Sequence, residues 1–177
     1  MAGSFDRIRV LIVEDNPHMS AILRTILQGF GVRTIHECRD AETALQNLGS
    51  INPDILLVDL FLAEMDGLEL ARRVRSDDSS ANKYLPIIMV TAHSERARVI
   101  QAINAGINEY LAKPVRPIDL FERIVSLVER PRRFVKTPGY FGPDRRRRQD
   151  SAYKGPWRRS TDEQYDDDED DREFGAA

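Results

Sequence analysis

The stretch Ile55-Leu56-Leu57-Val58-Asp59 decides the fold, because it is apolar at four consecutive positions and ends on a carboxylate. A strand with no polar face must be covered on both sides, as at the centre of a parallel sheet in an α/β protein. The stretch Ile87-Ile88-Met89-Val90 has the same character and is followed by Thr91. The two runs therefore predict central parallel strands with polar groups at their carboxyl ends.

Weaker strand patterns and helical patterns surround these two runs. Ile8–Val13 is rich in β-branched residues, Thr34–His36 is a weaker strand and Glu109–Ala112 is a short fifth strand. Apolar residues at helical spacing follow each strand, and the first helix begins at Asn16-Pro17, a capping residue before a proline. Five alternations predict an α/β fold with a parallel sheet, right-handed crossovers and helices on both faces.

Polar residues of a particular kind follow four of these strands. Glu14 and Asp15 follow the first strand, Asp59 the third, Thr91 the fourth and Lys113 the fifth. The functional crevice of such sheets lies at the carboxyl ends of the strands, so these side chains should converge. Converging carboxylates repel one another unless a cation joins them, and oxygen ligands completed by waters suit Mg²⁺. We therefore expect a magnesium site with an ammonium group and a hydroxyl beside it.

Residues 6–130 resemble a response-regulator receiver domain of two-component signal transduction. The resemblance implies a flavodoxin-like fold with a five-stranded parallel sheet in the strand order 2-1-3-4-5. It rests on five separated motifs that occur in the family's order: Val10-Leu11-Ile12-Val13-Glu14-Asp15-Asn16, Pro53-Asp54-Ile55-Leu56-Leu57-Val58-Asp59, Met65-Asp66-Gly67-Leu68-Glu69-Leu70, Pro86-Ile87-Ile88-Met89-Val90-Thr91-Ala92 and Ala105-Gly106-Ile107-Asn108-Glu109-Tyr110-Leu111-Ala112-Lys113-Pro114.

The resemblance implies that Asp59 is a phosphoacceptor. It would take a phosphoryl group from the phosphohistidine of a sensor histidine kinase or a phosphotransfer protein. Asp15 and Asp59 would bind Mg²⁺ directly together with the backbone carbonyl of Phe61, and Glu14 would act through bound water. Phosphoryl transfer depends mainly on positioning and on neutralising charge, which agrees with this set of groups.

The resemblance also implies how the domain responds. Lys113 would pair with Asp59 and then with a phosphoryl oxygen, and Thr91 would swing to hydrogen-bond the phosphoryl group. Tyr110 would move inward behind Thr91 and reshape the face made by the fourth helix, the fifth strand and the fifth helix. Such a response is a population shift between two conformations, drawn by charge-assisted hydrogen bonds to the new dianion.

The loop after the phosphoacceptor strand departs from the family pattern. Leu62-Ala63 stands where the family usually has Met-Pro, and the loss of the proline should loosen the loop that carries the Phe61 carbonyl. The Phe61 side chain is bulky and apolar, so we expect it to hinder attacking water and prolong the phosphorylated state.

Charge and composition divide the 177 residues into a domain and a tail. Residues 130–160 hold 11 basic and 2 acidic side chains, and residues 161–177 hold 1 basic and 9 acidic ones. Leu, Ile and Met are absent after Leu127. A segment without aliphatic residues buries too little surface to offset its chain entropy, which predicts a receiver domain at 6–130 and a disordered tail at 131–177.

Other classes of protein are disfavoured by simple features of the chain. No apolar run approaches the ~18 residues that span a bilayer, and the first residues lack an apolar signal region. The single cysteine, Cys38, excludes an internal disulfide framework. Together with the family resemblance, these features predict a cytoplasmic protein that does not enter a membrane.

The tail contains an internal repeat. Tyr140-Phe141-Gly142-Pro143-Asp144-Arg145-Arg146 recurs as Tyr153-Lys154-Gly155-Pro156-Trp157-Arg158-Arg159, with the shared pattern Tyr-x-Gly-Pro-x-Arg-Arg. It is typical of a tandem docking motif with aromatic anchors and arginines, although a flexible basic arm remains an alternative.

Nucleic acid is a less favoured partner because the acidic run Asp166–Asp171 would compete for the same arginines. An intramolecular clamp between the basic and acidic zones is a further hypothesis.

The function that these features favour is that of a stand-alone response regulator, a phosphoprotein that works as a switched binding module and not as an enzyme. Its partners would be a histidine kinase or phosphotransfer protein and an output protein that the sequence does not identify, with a homodimer as a further assembly. The alternatives are a nucleic-acid-binding regulator that uses the arginine-rich tail, and a scaffold that works without phosphorylation.

Overall fold

The computed structural model describes residues 5–76, 82–92 and 95–145, which contain seven strands, five α-helices and a short 3-10 helix at Phe5–Arg7. The strands are β1 (Arg9–Val13), β2 (Thr34–Cys38), β3 (Ile55–Asp59), β4 (Ile87–Thr91), β5 (Glu109–Ala112), β6 (Phe134–Thr137) and β7 (Tyr140–Pro143). The helices are α1 (Pro17–Gly29), α2 (Ala41–Ile51), α3 (Gly67–Ser76), α4 (Arg96–Asn104) and α5 (Pro117–Glu129).

The first five strands form one parallel sheet in the order β2-β1-β3-β4-β5. This order confirms the predicted fold class and the strand order that the family resemblance implied. Every residue of β3 and β4 is buried, as their continuous apolar runs predicted. β2 lies at an edge of the sheet, and only its last residue, Cys38, is buried.

Helices cover the sheet on both faces and enclose two hydrophobic cores. Successive residues of a strand point to opposite faces, so Leu56 belongs to one core and Leu57 to the other. Residues of α2, α3 and α4 line the first core, and residues of α1 and α5 line the second. The side chain of Asn16 caps α1 by accepting from the backbone N–H groups of His18 and Met19, as its position before Pro17 predicted.

A β-hairpin follows α5, where the sequence predicted the start of a disordered tail. β6 and β7 pair antiparallel around a turn at Pro138-Gly139, and Gly139 has the left-handed φ of +84° that such a turn favours. Over residues 134–143 the structure therefore differs from the predicted tail, whose bounds stay a prediction. Residues 146–177, which include the rest of the predicted tail, lie outside the described residues.

Aromatic packing explains why the hairpin forms although it contains no leucine, isoleucine or methionine. The rings of Phe134 and Phe141 lie 5.5 Å apart, and each lies within 5.3 Å of the Tyr84 ring, which precedes β4. Rings at such separations pack favourably and remove a large apolar area from water. A two-stranded hairpin is marginal in isolation, so this packing against the domain is what stabilises it.

A buried arginine from the end of α3 lies beneath the hairpin. Arg75 is 5% exposed, its guanidinium lies 5.0 Å from the centre of the Phe134 ring, and burial lowers its pKa to about 9. It donates to the backbone oxygens of Gly106 and Lys83 and to Oδ1 of Asn108 at 2.8 to 3.0 Å. These bonds join α3 to the turn between α4 and β5.

Within the described residues, no helix is both long enough and apolar enough to cross a bilayer.

Candidate functional site

The site lies at the carboxyl edge of the sheet, where β1 and β3 run side by side. Glu14 and Asp15 directly follow β1, and Asp59 is the last residue of β3. One carboxylate oxygen from each lies within 4.8 Å of the other two. The structure therefore brings together the three carboxylates that the sequence predicted to converge.

The three carboxylates differ in exposure. Glu14 is 2% exposed and Asp59 is 9% exposed, whereas Asp15 lies on the surface. Burial, the largest effect on Glu14, raises its pKa, and the charge of Asp59 acts in the same direction. The pocket therefore has two sheltered carboxylates and one that faces solvent.

Lys113 supplies the positive charge of the site. Its Nζ lies 2.8 Å from Oδ2 of Asp59 and 2.8 Å from Oε2 of Glu14. Burial opposes the ammonium form, but the hydrogen bonds to Asp59 and Glu14 outweigh it and raise the pKa of Lys113. The pairing of Lys113 with Glu14 was not predicted, because the resemblance gave Lys113 only Asp59 as its partner. Three carboxylates against one ammonium leave the pocket with excess negative charge.

Thr91 and Tyr110 lie together beside the charged groups. Thr91 is the last residue of β4 and is fully buried, and Tyr110 of β5 packs against the core cluster of α2 and α3. Burial raises the pKa of Tyr110, while a side-chain hydrogen bond with Thr91 opposes this rise. The structure thus places Thr91 between the site and Tyr110. Their movement on phosphorylation stays a prediction.

The loop after β3 holds Phe61 beside the carboxylate of Asp59. The backbone N–H of Phe61 lies 3.4 Å from Oδ1 of Asp59. Phe61 is 46% exposed, and the guanidinium of Arg98 lies 5.8 Å from the centre of its ring. Leu62, which replaces the methionine of the usual pattern, is buried in the core and anchors the loop. The proposed effect of Phe61 on attacking water and the metal-binding role of its carbonyl stay predictions.

Gly67 positions the loop from its other end. Its N–H donates to the carbonyl of Leu60 at 2.8 Å, and a Cβ at this position would lie 2.1 Å from the carbonyl oxygen of Asp59. Only glycine therefore allows the start of α3 to pack this closely against the end of β3. Gly67 is part of the Met65-Asp66-Gly67 motif found in the sequence, but the steric reason for a glycine at this position appears only in the structure.

The donor set fits a hard divalent cation. Mg²⁺ prefers carboxylate and carbonyl oxygens and retains several waters, and here Asp15 faces solvent while Asp59 lies beside it. Bound there, the cation would neutralise the excess negative charge that Lys113 leaves. Lys113 joins two members of the cluster, Glu14 and Asp59.

Comparison with known proteins gives a consistent result. The model of the family described as response regulator receiver domain matches residues 10–125, which end before the hairpin. The chain is 38% identical over 123 residues to the chemotaxis protein CheY of Pseudomonas aeruginosa, covering 70% of this chain and 98% of that protein. It is 32% identical over 124 residues to the DNA-binding response regulator MtrA of Mycolicibacterium smegmatis, of which it covers 52%.

A solved structure shares the fold. The crystal structure of a protein described as a response regulator from Chloroflexus aurantiacus matches with a TM-score of 0.64 and 35% sequence identity. The match covers 70% of this chain and 98% of that one. The likeness thus extends over the sheet and its helices.

The cluster predicts that Mg²⁺ stabilises the domain. At about 100 times its Kd, the cation should raise the free energy of unfolding by about 2.7 kcal/mol, because it binds only the folded chain. Asp15→Asn should abolish this gain, whereas Glu64→Gln, an exposed carboxyl outside the cluster, should retain it. Chemical denaturation with and without Mg²⁺ measures the difference, and an equal gain in Asp15→Asn would contradict the assignment.

Proposed function

Because the chain belongs to the response regulator receiver domain family, we propose that Asp59 accepts a phosphoryl group from a histidine kinase or a phosphotransfer protein. The observation that carries the proposal is the position of the Asp59 carboxylate, which is 2.8 Å from the Lys113 ammonium and inside the three-carboxylate cluster. The cytoplasmic location that the family resemblance implies is part of the same proposal.

The reaction is a displacement at phosphorus. An oxygen of the Asp59 carboxylate attacks the phosphorus of a phosphohistidine, the P–O bond forms as the P–N bond breaks, and the imidazole takes up a proton. Asp15 and Asp59 are the residues that would hold Mg²⁺, and the cation would supply neutralising charge for the transferring oxygens. Lys113 lies close enough to Asp59 to donate to the same oxygens, and Glu14 keeps Lys113 oriented.

The donor protein approaches the carboxyl edge of the sheet. Ile22 and Ile118 are 49% and 56% exposed, and they lie in α1 and α5, the helices that begin at this edge. Apolar residues exposed next to a reaction site are typical of a protein contact. They support docking of a protein donor over the pocket.

The response passes through Thr91 and Tyr110. A dianion on Asp59 attracts the Thr91 hydroxyl through a charge-assisted hydrogen bond. That movement gives up the hydrogen bond that Thr91 shares with Tyr110, so the two side chains change together. The outcome is a population shift of the face made by α4, β5 and α5.

The hairpin is joined to this face at the residue next to Tyr110. Arg132, which leads into β6, donates to Oε1 of Glu109 at 2.8 Å and to the backbone oxygen of Asn108. Glu109 is 5% exposed and also pairs with Arg123 of α5. A shift of β5 at Tyr110 therefore acts on the hairpin, which supports output through the face and the tail together.

Phosphorylation of Asp59 is tested directly by intact-mass measurement after incubation with acetyl phosphate and Mg²⁺. The natural chain should gain one phosphoryl group. Asp59→Asn should gain none, because asparagine has no carboxylate to act as the nucleophile. Asp54→Asn is the matched control, since Asp54 is an exposed carboxyl paired with Arg9. Labelling of Asp59→Asn would place the acceptor elsewhere, and no labelling of the natural chain would favour the scaffold that works without phosphorylation.

Coupling of the hairpin to the site is tested by NMR with beryllofluoride and Mg²⁺. Amide resonances of residues 134–143 should shift in the natural chain, and the shifts should shrink at least severalfold in Arg132→Met, which cannot pair with Glu109. Arg130→Met, with an exposed side chain two residues away, is the control and should respond like the natural chain. Hairpin resonances that stay unchanged while those around Asp59 shift would exclude this route of output.

A further inference from the structure

Residues 140–145 of the first copy of the repeat form β7 and the two residues that follow it. Its glycine, Gly142, lies back to back with Gly106 in the turn between α4 and β5. A Cβ on Gly142 would lie 2.8 Å from Cα of Gly106 and 2.7 Å from the Tyr140 hydroxyl. The glycine of the pattern is therefore needed for β7 to approach the domain.

Tyr140, Pro143 and Arg145 of the pattern also have defined contacts. The Tyr140 hydroxyl donates to the carbonyl of Pro143 at 2.8 Å, and Pro143 is buried. The guanidinium of Arg145 lies 4.0 Å from the centre of the Tyr140 ring, a cation–π distance. Tyr-x-Gly-Pro-x-Arg is thus a set of residues that fold against one another and against Gly106.

The surface that receives β7 is made by Gly106, Arg75, Tyr84 and Phe134, and we call it the Gly106 cleft. Arg75 donates to the carbonyl of Gly106 at 3.0 Å and holds the turn in place. Tyr84 and Phe134 contribute the aromatic wall, with Phe141 packed against both.

The second copy differs from the first at the two variable positions only. Phe141 corresponds to Lys154, so the second copy lacks the ring that packs on Tyr84 and Phe134. Asp144 corresponds to Trp157, and the backbone N–H that Asp144 donates to Arg133 is one that tryptophan also has. Every residue that the pattern shares is kept, including the glycine that the cleft requires.

We propose that the Gly106 cleft is a binding site for the pattern Tyr-x-Gly-Pro-x-Arg, and that Tyr153–Arg159 of the same chain is a second ligand that competes with Tyr140–Arg145. Docked in the same place, the second copy would be joined to β6 by a longer connection than the first. Two residues separate β6 from Tyr140, and 15 separate it from Tyr153. Closing the longer loop disfavours the second copy by about 20-fold, so the first copy predominates.

Exchange of the two copies gives the chain a means of releasing one motif while the cleft stays covered. The first copy can leave for a partner, and the second can take its place against Gly106. This inference does not depend on phosphorylation of Asp59, since it rests on the contacts of β7 alone.

Trp157, the single tryptophan of the chain, reports on the second copy. In the full chain, Gly142→Ala should expel the first copy and let the second dock, which shifts Trp157 emission to the blue and lowers its quenching by acrylamide. Adding Gly155→Ala should reverse both changes, and Gly155→Ala alone should leave emission as in the natural chain. Identical emission from Gly142→Ala and the double variant would overturn the proposal. A blue shift that disappears on dilution would also overturn it, because it would show docking between chains.

A second variant covers the case in which Gly142→Ala does not fold. The double substitution Phe141→Lys and Asp144→Trp gives residues 140–146 the sequence of the second copy. The connection between these residues and β6 keeps its length of two residues. Amides of β6 and β7 should remain protected from hydrogen exchange, with protection lowered by loss of the Phe141 ring contacts. Complete loss of protection in these strands, with the central sheet still protected, would show that the second copy does not fit the cleft.

Discussion

The ammonium of Lys113, held between Asp59 and Glu14, is the interaction on which the rest of the site depends. It joins the carboxyl ends of β1 and β3 to the chain beyond β5, with bonds of 2.8 Å to each acid. β4 lies between β3 and β5 in the sheet, so the side chain has to pass the end of β4, where Thr91 lies. Strands are about 4.8 Å apart, and a lysine has the four-carbon stem that this reach requires. One cation thus holds two mutually repelling carboxylates together, at the ends of β1 and β3.

The opposite edge of the domain is organised by a second cation, the buried guanidinium of Arg75. It has carbonyl oxygens as partners and the Phe134 ring above it, so its charge is satisfied by dipoles and by an aromatic face. The hairpin covers this group, and Arg132 ties the hairpin to Glu109. β5 therefore connects the two edges, with Tyr110 near the acidic pocket and Glu109 held by the hairpin.

Most of the sheet and the site could be predicted because the signals are local in the sequence. The apolar runs of β3 and β4 predicted central strands. The candidate site residues were found at the carboxyl ends of strands, where the crevice of a parallel α/β sheet lies. The hairpin could not be predicted in the same way, since Phe134 and Phe141 find their partner Tyr84 about fifty residues away. The pairing of Lys113 with Glu14 and the steric need for Gly67 also arise only when distant segments meet.

A crystal structure of the full chain with Mg²⁺ and beryllofluoride is the most direct test of the account. It should show beryllofluoride on a carboxylate oxygen of Asp59, the metal bound by Asp15 and Asp59, and the Lys113 ammonium within hydrogen-bond distance of a fluoride. Beryllofluoride on another side chain, or a metal bound without Asp15 and Asp59, would contradict it.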